Sequence, residues 1–196
     1  MLVSGGGTNL AAILRAEQAG TIQSAKVTLV VSSREDAYAL TRAREAGIPA
    51  QVLRREPGEG EAAYGERMVA LLRTHGIQLV VLAGFLTILP QNVIDAYDQR
   101  ILNVHPSLIP AFSGKGYYGL RVHEAALARG VRLTGATVHF VNAIPDGGEI
   151  IAQKAVAVAP GDTPETLQRR VMEQAEWILL PESIETVARA LEETER

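Results

Sequence analysis

The 196-residue chain contains no cysteine, which excludes a disulfide framework, a thiolate metal site and a cysteine nucleophile. It also has no excess of positive charge. Lysine and arginine number 19 against 22 acidic residues, so the net charge is −3 and a nucleic-acid partner is not expected. No apolar run approaches the roughly 20 residues of a membrane-spanning helix, and the first residues have no signal-peptide pattern. We therefore expect a globular cytoplasmic protein without a membrane partner.

The chain also has no internal repeat and no linker rich in proline or glycine, so we expect a single domain over residues 1–196. No Gly-x-Ser-x-Gly sequence is present, which excludes the nucleophile elbow of the α/β-hydrolases. No group of histidine, aspartate and glutamate has the spacing of metal ligands, so no metal is expected.

Short apolar runs alternate with amphipathic stretches over the first two thirds of the chain. The runs at residues 27–31, 50–53, 79–84 and 101–104 predict strands of a parallel sheet with helices on both faces. Residues 134–141 and 150–158 predict two further strands, a long helix follows from Pro164, and a final helix begins at Pro181. Only Met1, Leu2 and Val3 precede the segment Ser4-Gly5-Gly6-Gly7. Either the first strand is unusually short or residues upstream belong to it.

Ligands of an open parallel sheet bind at the carboxyl ends of its strands. Three informative segments follow predicted strands and therefore meet at that edge: Ser4-Gly5-Gly6-Gly7-Thr8-Asn9, Gly84-Phe85-Leu86-Thr87-Ile88-Leu89 and Asn103-Val104-His105-Pro106-Ser107-Leu108.

The glycine cluster suits a phosphate, because its backbone can approach an anion and the next helix directs free N–H groups toward it. Its spacing matches neither the dinucleotide fingerprint nor a P-loop. A tight turn without a ligand explains the glycines equally well.

Asn103 and His105 are two residues apart on an extended chain, so their side chains point the same way. An amide beside an imidazole can polarise a carbonyl and move a proton. Taken alone, a solvated asparagine and a hydrogen-bonded histidine explain the pair as well.

Asp146 is either a turn residue or the carboxylate that orients the imidazole. His123 is expected to be exposed on a helix, and Trp177 is expected to serve packing.

Together, residues 4–10, Leu82-Ala83-Gly84-Phe85, residues 103–110 and Asp146-Gly147-Gly148 closely resemble the glycinamide ribonucleotide formyltransferase family of folate-dependent enzymes. The resemblance extends from residue 1 to about residue 181. It implies a Rossmann-like formyltransferase fold, mostly parallel with an antiparallel C-terminal extension. It also implies a ribonucleotide-binding half over residues 1–100, a catalytic and folate-binding half over 101–181, and a C-terminal helix over 182–196.

The resemblance assigns a role to each site residue. Asn103, His105 and Asp146 are the implied catalytic residues, and His139 supports the Asp146 loop. The implied substrate-binding residues are Gly6, Gly7, Thr8, Asn9 and Glu176. The implied residues of the folate pocket are Leu86, Thr87, Ile88, Leu89, Asn103 and Val141.

Three positions depart from the family pattern. Thr87 stands where many members have arginine, Glu61 where some members have a basic residue, and Trp177 where a histidine is frequent.

The implied reaction moves a formyl group from 10-formyltetrahydrofolate to the amine of phosphoribosylglycinamide. Asp146, His105 or a water could carry the proton. The partners would be these two small molecules, and a homodimer is compatible with the resemblance.

The alternative functions are those of a 10-formyltetrahydrofolate hydrolase, a methionyl-tRNA formyltransferase (which the net charge disfavours) and a catalytically silent nucleotide-binding module.

Overall fold

The alternation of strands and helices predicted from the sequence is present in a computed structural model, which describes residues 1–194. The strands are β1 (Leu2–Val3), β2 (Val30–Ser32), β3 (Ala50–Val52), β4 (Val80–Leu82), β5 (Ile101–His105), β6 (Leu133–Phe140) and β7 (Ile150–Ala157). The first five helices are α1 (Thr8–Gln18), α2 (Tyr38–Glu45), α3 (Glu61–Thr74), α4 (Gln91–Ala96) and α5 (Leu120–Arg129). A last helical stretch consists of α6 (Pro164–Val171), a π-helical segment (Met172–Glu176) and α7 (Trp177–Thr194).

The seven strands form one sheet in the order β3-β2-β1-β4-β5-β6-β7. The pairs among β1 to β5 are parallel, whereas β5–β6 and β6–β7 are antiparallel. This confirms the predicted parallel sheet with an antiparallel C-terminal extension.

Two apolar clusters cover the two faces of the sheet. Val3 and Val81 face α1, α2, α6 and α7, whereas their neighbours Leu2 and Val80 face α3 and α4. Successive side chains of a strand point to opposite faces, so a strand covered on both sides is apolar throughout. The uninterrupted apolar run at β4 follows from this double burial.

The end of the chain differs from the prediction at one proline. A helix was expected to begin at Pro181, but α7 already begins at Trp177 and contains Pro181. The π-helical segment directly before α7 joins it to α6, so the two predicted helices are one continuous helical stretch. The last two residues of the predicted helix over 182–196 lie outside the described residues.

Candidate active site

The loops after β1, β4 and β5 lie side by side, because β4 is between β1 and β5 in the sheet. Within β5, Asn103 is paired with His139 and His105 with Thr137 of β6. The antiparallel neighbour therefore brings a second histidine to the predicted Asn–His pair. The loop between β6 and β7 returns to the same place and carries Asp146.

Asp146 is the centre of this cluster. Its Oδ2 atom lies 3.5 Å from Nδ1 of His105, and its Oδ1 atom lies 3.6 Å from Nε2 of His139. The backbone N–H of Gly114 donates to Oδ2 at 2.8 Å. Asp146 has φ +55°, a conformation that aspartate tolerates better than most residues. Asp146 is therefore a turn residue whose carboxylate also faces two histidines.

His105 is buried, with 4% of its surface exposed. Its Nε2–H group donates to the carbonyl oxygen of Phe112 at 2.8 Å, so only Nδ1 is left to face Asp146. Burial lowers the pKa of His105, and the nearby Asp146 carboxylate only partly offsets this. In the free protein, the His105 imidazole is therefore neutral over a wider pH range than the imidazole of an exposed histidine.

Asp146 itself is held as the anion. Burial raises the pKa of this carboxyl, but His139, His105 and the N–H group of Gly114 outweigh burial and bring the pKa below its usual range. A negative charge fixed beside an imidazole favours protonation of that ring when the surroundings change.

Asn103 is oriented by His139. The Nδ1–H group of His139 donates to the carbonyl oxygen of Phe140 at 2.7 Å. Nε2 lies 3.1 Å from the amide nitrogen of Asn103, and it accepts from this amide when the ring is neutral. One N–H bond of Asn103 is used in this contact, and the amide has a second N–H to offer.

A cavity of about 260 Å³ opens in front of Asn103, His139 and Asp146. It is lined by all the residues predicted for the folate pocket: Leu86, Thr87, Ile88, Leu89, Asn103 and Val141. Leu86, Ile88 and Ile144 are exposed large apolar side chains at this cavity. An exposed apolar wall next to fixed polar groups is typical of a small-molecule site, and a flat heteroaromatic ring fits such a wall.

The glycine loop forms a second part of the site. Gly7 precedes α1 with φ +71°, and the first N–H groups of α1 have no acceptor within the helix. The Nδ2 group of Asn9 donates to the carboxylate of Glu176 at 2.9 Å. Glu176 ends the π-helical segment, and burial raises its pKa although Asn9 opposes this. Thr8 lies 3.8 Å from the sulfur of Met172 in the same segment.

The predicted residues thus form two neighbouring groups rather than one pocket. Residues 6–9 and Glu176 do not line the 260 Å³ cavity. Ser4 connects the groups, since its hydroxyl accepts from the backbone N–H of Leu86 at 3.0 Å. The carboxyl ends of β1 and β5 are two strand spacings apart, roughly 10 Å. One elongated ligand could therefore contact both groups.

Another cavity, of about 310 Å³, lies at the amino-terminal end of the sheet. It is lined by Met1, Leu29, Leu79 and residues of α1 and α7, and by none of the predicted site residues. We place the chemistry at the smaller cavity, because the polar groups converge there. Within residues 1–194, no three histidine, aspartate or glutamate side chains are grouped as metal ligands. Over the same residues, no helix has the length and apolar character to span a membrane.

One further sequence expectation is wrong. His123 was expected to be exposed, but its side chain is fully buried on α5, and burial together with nearby His105 lowers its pKa to about 4. The spacing of apolar residues along α5 could have indicated the burial of this position.

Sequence reasoning also missed three contacts of the site: the Phe112 carbonyl at His105, the Gly114 N–H at Asp146 and the side chain of Arg42 at Gly6. All three involve a backbone atom, and backbone atoms carry no residue-specific signal.

Comparison with known proteins identifies the family. The formyl transferase family model matches residues 1–184. The chain belongs to the formyl transferase family. It is 42% identical over 177 residues to the chloroplastic phosphoribosylglycinamide formyltransferase of Arabidopsis thaliana, covering 89% of this chain and 60% of that protein.

Solved structures share the fold of this family member. Glycinamide ribonucleotide transformylase 1 from Symbiobacterium toebii superposes with a TM-score of 0.89 at 42% identity, covering 96% of this chain and 86% of that one. A formyltetrahydrofolate deformylase from Pseudomonas syringae superposes with a TM-score of 0.83 at 26% identity, covering 96% of this chain and 60% of that one. The Rossmann-like fold predicted from the resemblance is confirmed.

Proposed function

We propose that this chain transfers a formyl group from 10-formyltetrahydrofolate to the amino group of 5′-phosphoribosylglycinamide. The observation that carries the proposal is the convergence of Asn103, His105 and Asp146 beside an apolar cavity, with a glycine loop two strands away. The names of the Arabidopsis and Symbiobacterium relatives support this choice of substrates.

Residues 6–9 bind the 5′-phosphate through backbone N–H groups at the start of α1. Glu176 accepts hydrogen bonds from the ribose hydroxyls, beside Asn9. The glycinamide arm then reaches β5 across the two strand spacings. The pterin ring lies between Leu86, Ile88 and Val141, where apolar contact replaces water.

The amine attacks the formyl carbon, and negative charge develops on the formyl oxygen. The second N–H of Asn103 donates to this oxygen. His105 donates from Nδ1 once this atom is protonated, since Nε2 is committed to Phe112. Loss of one such donor costs about 3 kcal/mol in other enzymes. The developing oxyanion and Asp146 both favour the protonated ring.

The proton balance closes without an acyl-enzyme. A C–N bond forms between the glycinamide nitrogen and the formyl carbon, and the bond from that carbon to the folate nitrogen breaks. The amine loses one proton and the folate nitrogen gains one. Asp146 moves this proton through His105 and through a water held at its carboxylate, because the carboxylate faces the His105 ring as well as the cavity.

The assay for this proposal follows deformylation of 10-formyltetrahydrofolate with and without phosphoribosylglycinamide. We expect deformylation only when the ribonucleotide is present. Deformylation without it would indicate the hydrolase, an alternative that the similarity to the Pseudomonas deformylase keeps relevant. No deformylation in either mixture, with ribonucleotide binding retained, would indicate the silent binding module. The cytoplasmic location and the homodimer stay predictions.

A further inference from the structure

Ser4 lies at the end of β1, and the proposed function gives it no role. Only 5% of its surface is exposed. Its hydroxyl oxygen accepts from the backbone N–H of Leu86 at 3.0 Å and lies 2.7 Å from the hydroxyl oxygen of Ser33. Ser33 follows β2 and Leu86 follows β4, and β1 lies between these two strands in the sheet. Ser4 therefore connects the carboxyl ends of three neighbouring strands.

The contact matters because the middle of the segment 85–89 is otherwise weakly held. This segment forms one wall of the 260 Å³ cavity and contains neither a helix nor a strand. Within residues 1–194, its one hydrogen bond is the bond from Leu86 to Ser4. The two end residues of the segment pack against the core, whereas Leu86 and Ile88 are 59% and 76% exposed. The Ser4 hydroxyl is thus the contact that determines where the middle of this wall lies.

The hydroxyl of Ser4 is difficult to replace at this position. A serine hydroxyl donates one hydrogen bond and accepts two, and the contacts with Leu86 and Ser33 use two of these three. Alanine at position 4 would leave the Leu86 N–H facing a buried methyl group. An N–H group that has lost its partner favours a backbone path on which it reaches water. The middle of the wall would then move away from β1, while the sheet retains its own hydrogen bonds.

We propose that Ser4 is a positioning residue for the formyl donor, because it fixes the backbone of Leu86 and so holds the apolar wall against which the pterin ring lies. The identity of the donor rests on the proposed function, whereas the positioning of the wall rests on the contact between Ser4 and Leu86. A wall that moves away loses apolar contact with the ring. Ser4 therefore acts on the affinity for the folate and not on the chemical step.

The glycine loop has contacts of its own, although it directly follows Ser4. The backbone N–H of Ala39 donates to the carbonyl oxygen of Gly5 at 3.1 Å, and Nε of Arg42 donates to that of Gly6 at 2.9 Å. Both contacts remain when the Ser4 hydroxyl is removed. The proposal therefore predicts a selective effect, in which folate binding weakens and sugar-phosphate binding stays the same.

The test measures binding of 10-formyl-5,8-dideazafolate, an analogue of the donor, by calorimetry without ribonucleotide. The proteins are the unsubstituted chain, Ser4→Ala, Ser4→Cys and the control Ser183→Ala. Ser183 is 2% exposed and donates to a backbone carbonyl within α7, so the control removes an equally buried hydroxyl outside the site.

We expect the analogue to bind roughly three- to tenfold more weakly to Ser4→Ala, since one hydrogen bond is lost. Ser4→Cys should show an intermediate loss, because a thiol is a weaker acceptor. Ser183→Ala should bind the analogue like the unsubstituted chain. Ribose 5-phosphate is the second probe, and its affinity should be the same for all four proteins.

Amide hydrogen exchange, followed by NMR, reports on the proposed contact directly. We expect the Leu86 amide to exchange roughly tenfold faster in Ser4→Ala, whereas the amides of Val81 and Leu82 in β4 should keep their rates. Unchanged protection of the Leu86 amide would overturn the proposal even if folate binding were weaker.

Equal affinity of Ser4→Ala and the unsubstituted chain for the analogue would overturn the proposal, as would an equal loss in Ser183→Ala. A loss of ribose 5-phosphate binding as large as the loss of folate binding would overturn it too, because the whole edge of the sheet would then be disturbed. Thermal unfolding of each variant identifies misfolding, and Ser4→Cys provides the answer if Ser4→Ala does not fold.

Formyl transfer is measured separately on the same proteins. If transfer to the ribonucleotide is absent but analogue binding depends on Ser4, the proposed function fails and this inference stands. If transfer occurs, Ser4→Ala should raise KM for the folate with little change in kcat or in KM for the ribonucleotide. A fall in kcat at unchanged KM would refute the positioning role alone, and failure of the unsubstituted chain to bind the analogue would overturn both proposals.

Discussion

Replacement of Asp146 by asparagine tests the centre of the site. The substitution keeps the shape of the side chain and removes one negative charge 3.5 Å from Nδ1 of His105 and 3.6 Å from Nε2 of His139. At 3.5 Å and an effective dielectric constant of about 20, the attraction between Asp146 and a protonated His105 is roughly 5 kcal/mol before desolvation is subtracted. The net effect on the transition state is smaller, about 3 to 4 kcal/mol, which corresponds to a loss of about 10² to 10³ in kcat/KM.

The sign of the pH effect follows from the same contact. Burial already lowers the pKa of His105, and Asp146 is the main influence that raises it. In Asp146→Asn the imidazolium loses its counter-charge, so the pKa of His105 must fall further. Proton NMR titration of the histidine ring protons measures this shift directly, and we expect the His105 signal to titrate at lower pH in the variant.

The kinetic assay is deformylation of 10-formyltetrahydrofolate in the presence of phosphoribosylglycinamide. Asp98→Asn is the matched control, because Asp98 is exposed and lies outside the site. We expect the control to retain full activity. A loss below tenfold in Asp146→Asn, or an equal loss in Asp98→Asn, would refute the role of this carboxylate. Thermal unfolding of both variants separates a catalytic effect from a folding defect.

Three further predictions concern other parts of the molecule. Asn103→Ala removes one oxyanion donor, and we expect kcat to fall about 10²-fold; a loss confined to KM in steady-state assays would contradict this. Glu176→Gln removes a carboxylate whose pKa burial raises, so the native state binds more protons than the unfolded chain and stability is lost as pH rises through the native pKa. The glutamine variant should therefore unfold at a higher temperature than the unsubstituted chain at pH 7, and this gain should vanish near pH 4. Its KM for the ribonucleotide should rise. An unchanged unfolding temperature at pH 7 would contradict the stability prediction. Gly135→Ala places a Cβ atom 2.0 Å from a backbone carbonyl oxygen of β7, and we expect a loss of about 3 kcal/mol in urea unfolding, whereas an unshifted midpoint would show that the sheet adapts.

Much of the fold was predictable because burial leaves a periodic record in the sequence. The apolar run at β4 indicated a strand covered on both faces, and residues 134–141 indicated a further strand, which is present as β6. The predicted site segments meet at one edge because parallel strands end on the same side. Pro181 was misinterpreted because proline usually occurs at the start of a helix. Here α7 begins at Trp177, directly after the π-helical segment, and continues through Pro181.

From the sequence alone, the fold class could be determined and the residues of the candidate site could be predicted, since both depend on local patterns and residue types. Only the tertiary structure decided how those residues contact one another. In the folded chain, Nε2 of His105 is bonded to the Phe112 carbonyl, His139 is bonded to Asn103, and Arg42 lies beside the glycine loop. These contacts join residues on different elements, and two of them depend on which hydrogen-bonding groups remain available after the sheet has formed. No local pattern in the chain encodes that choice.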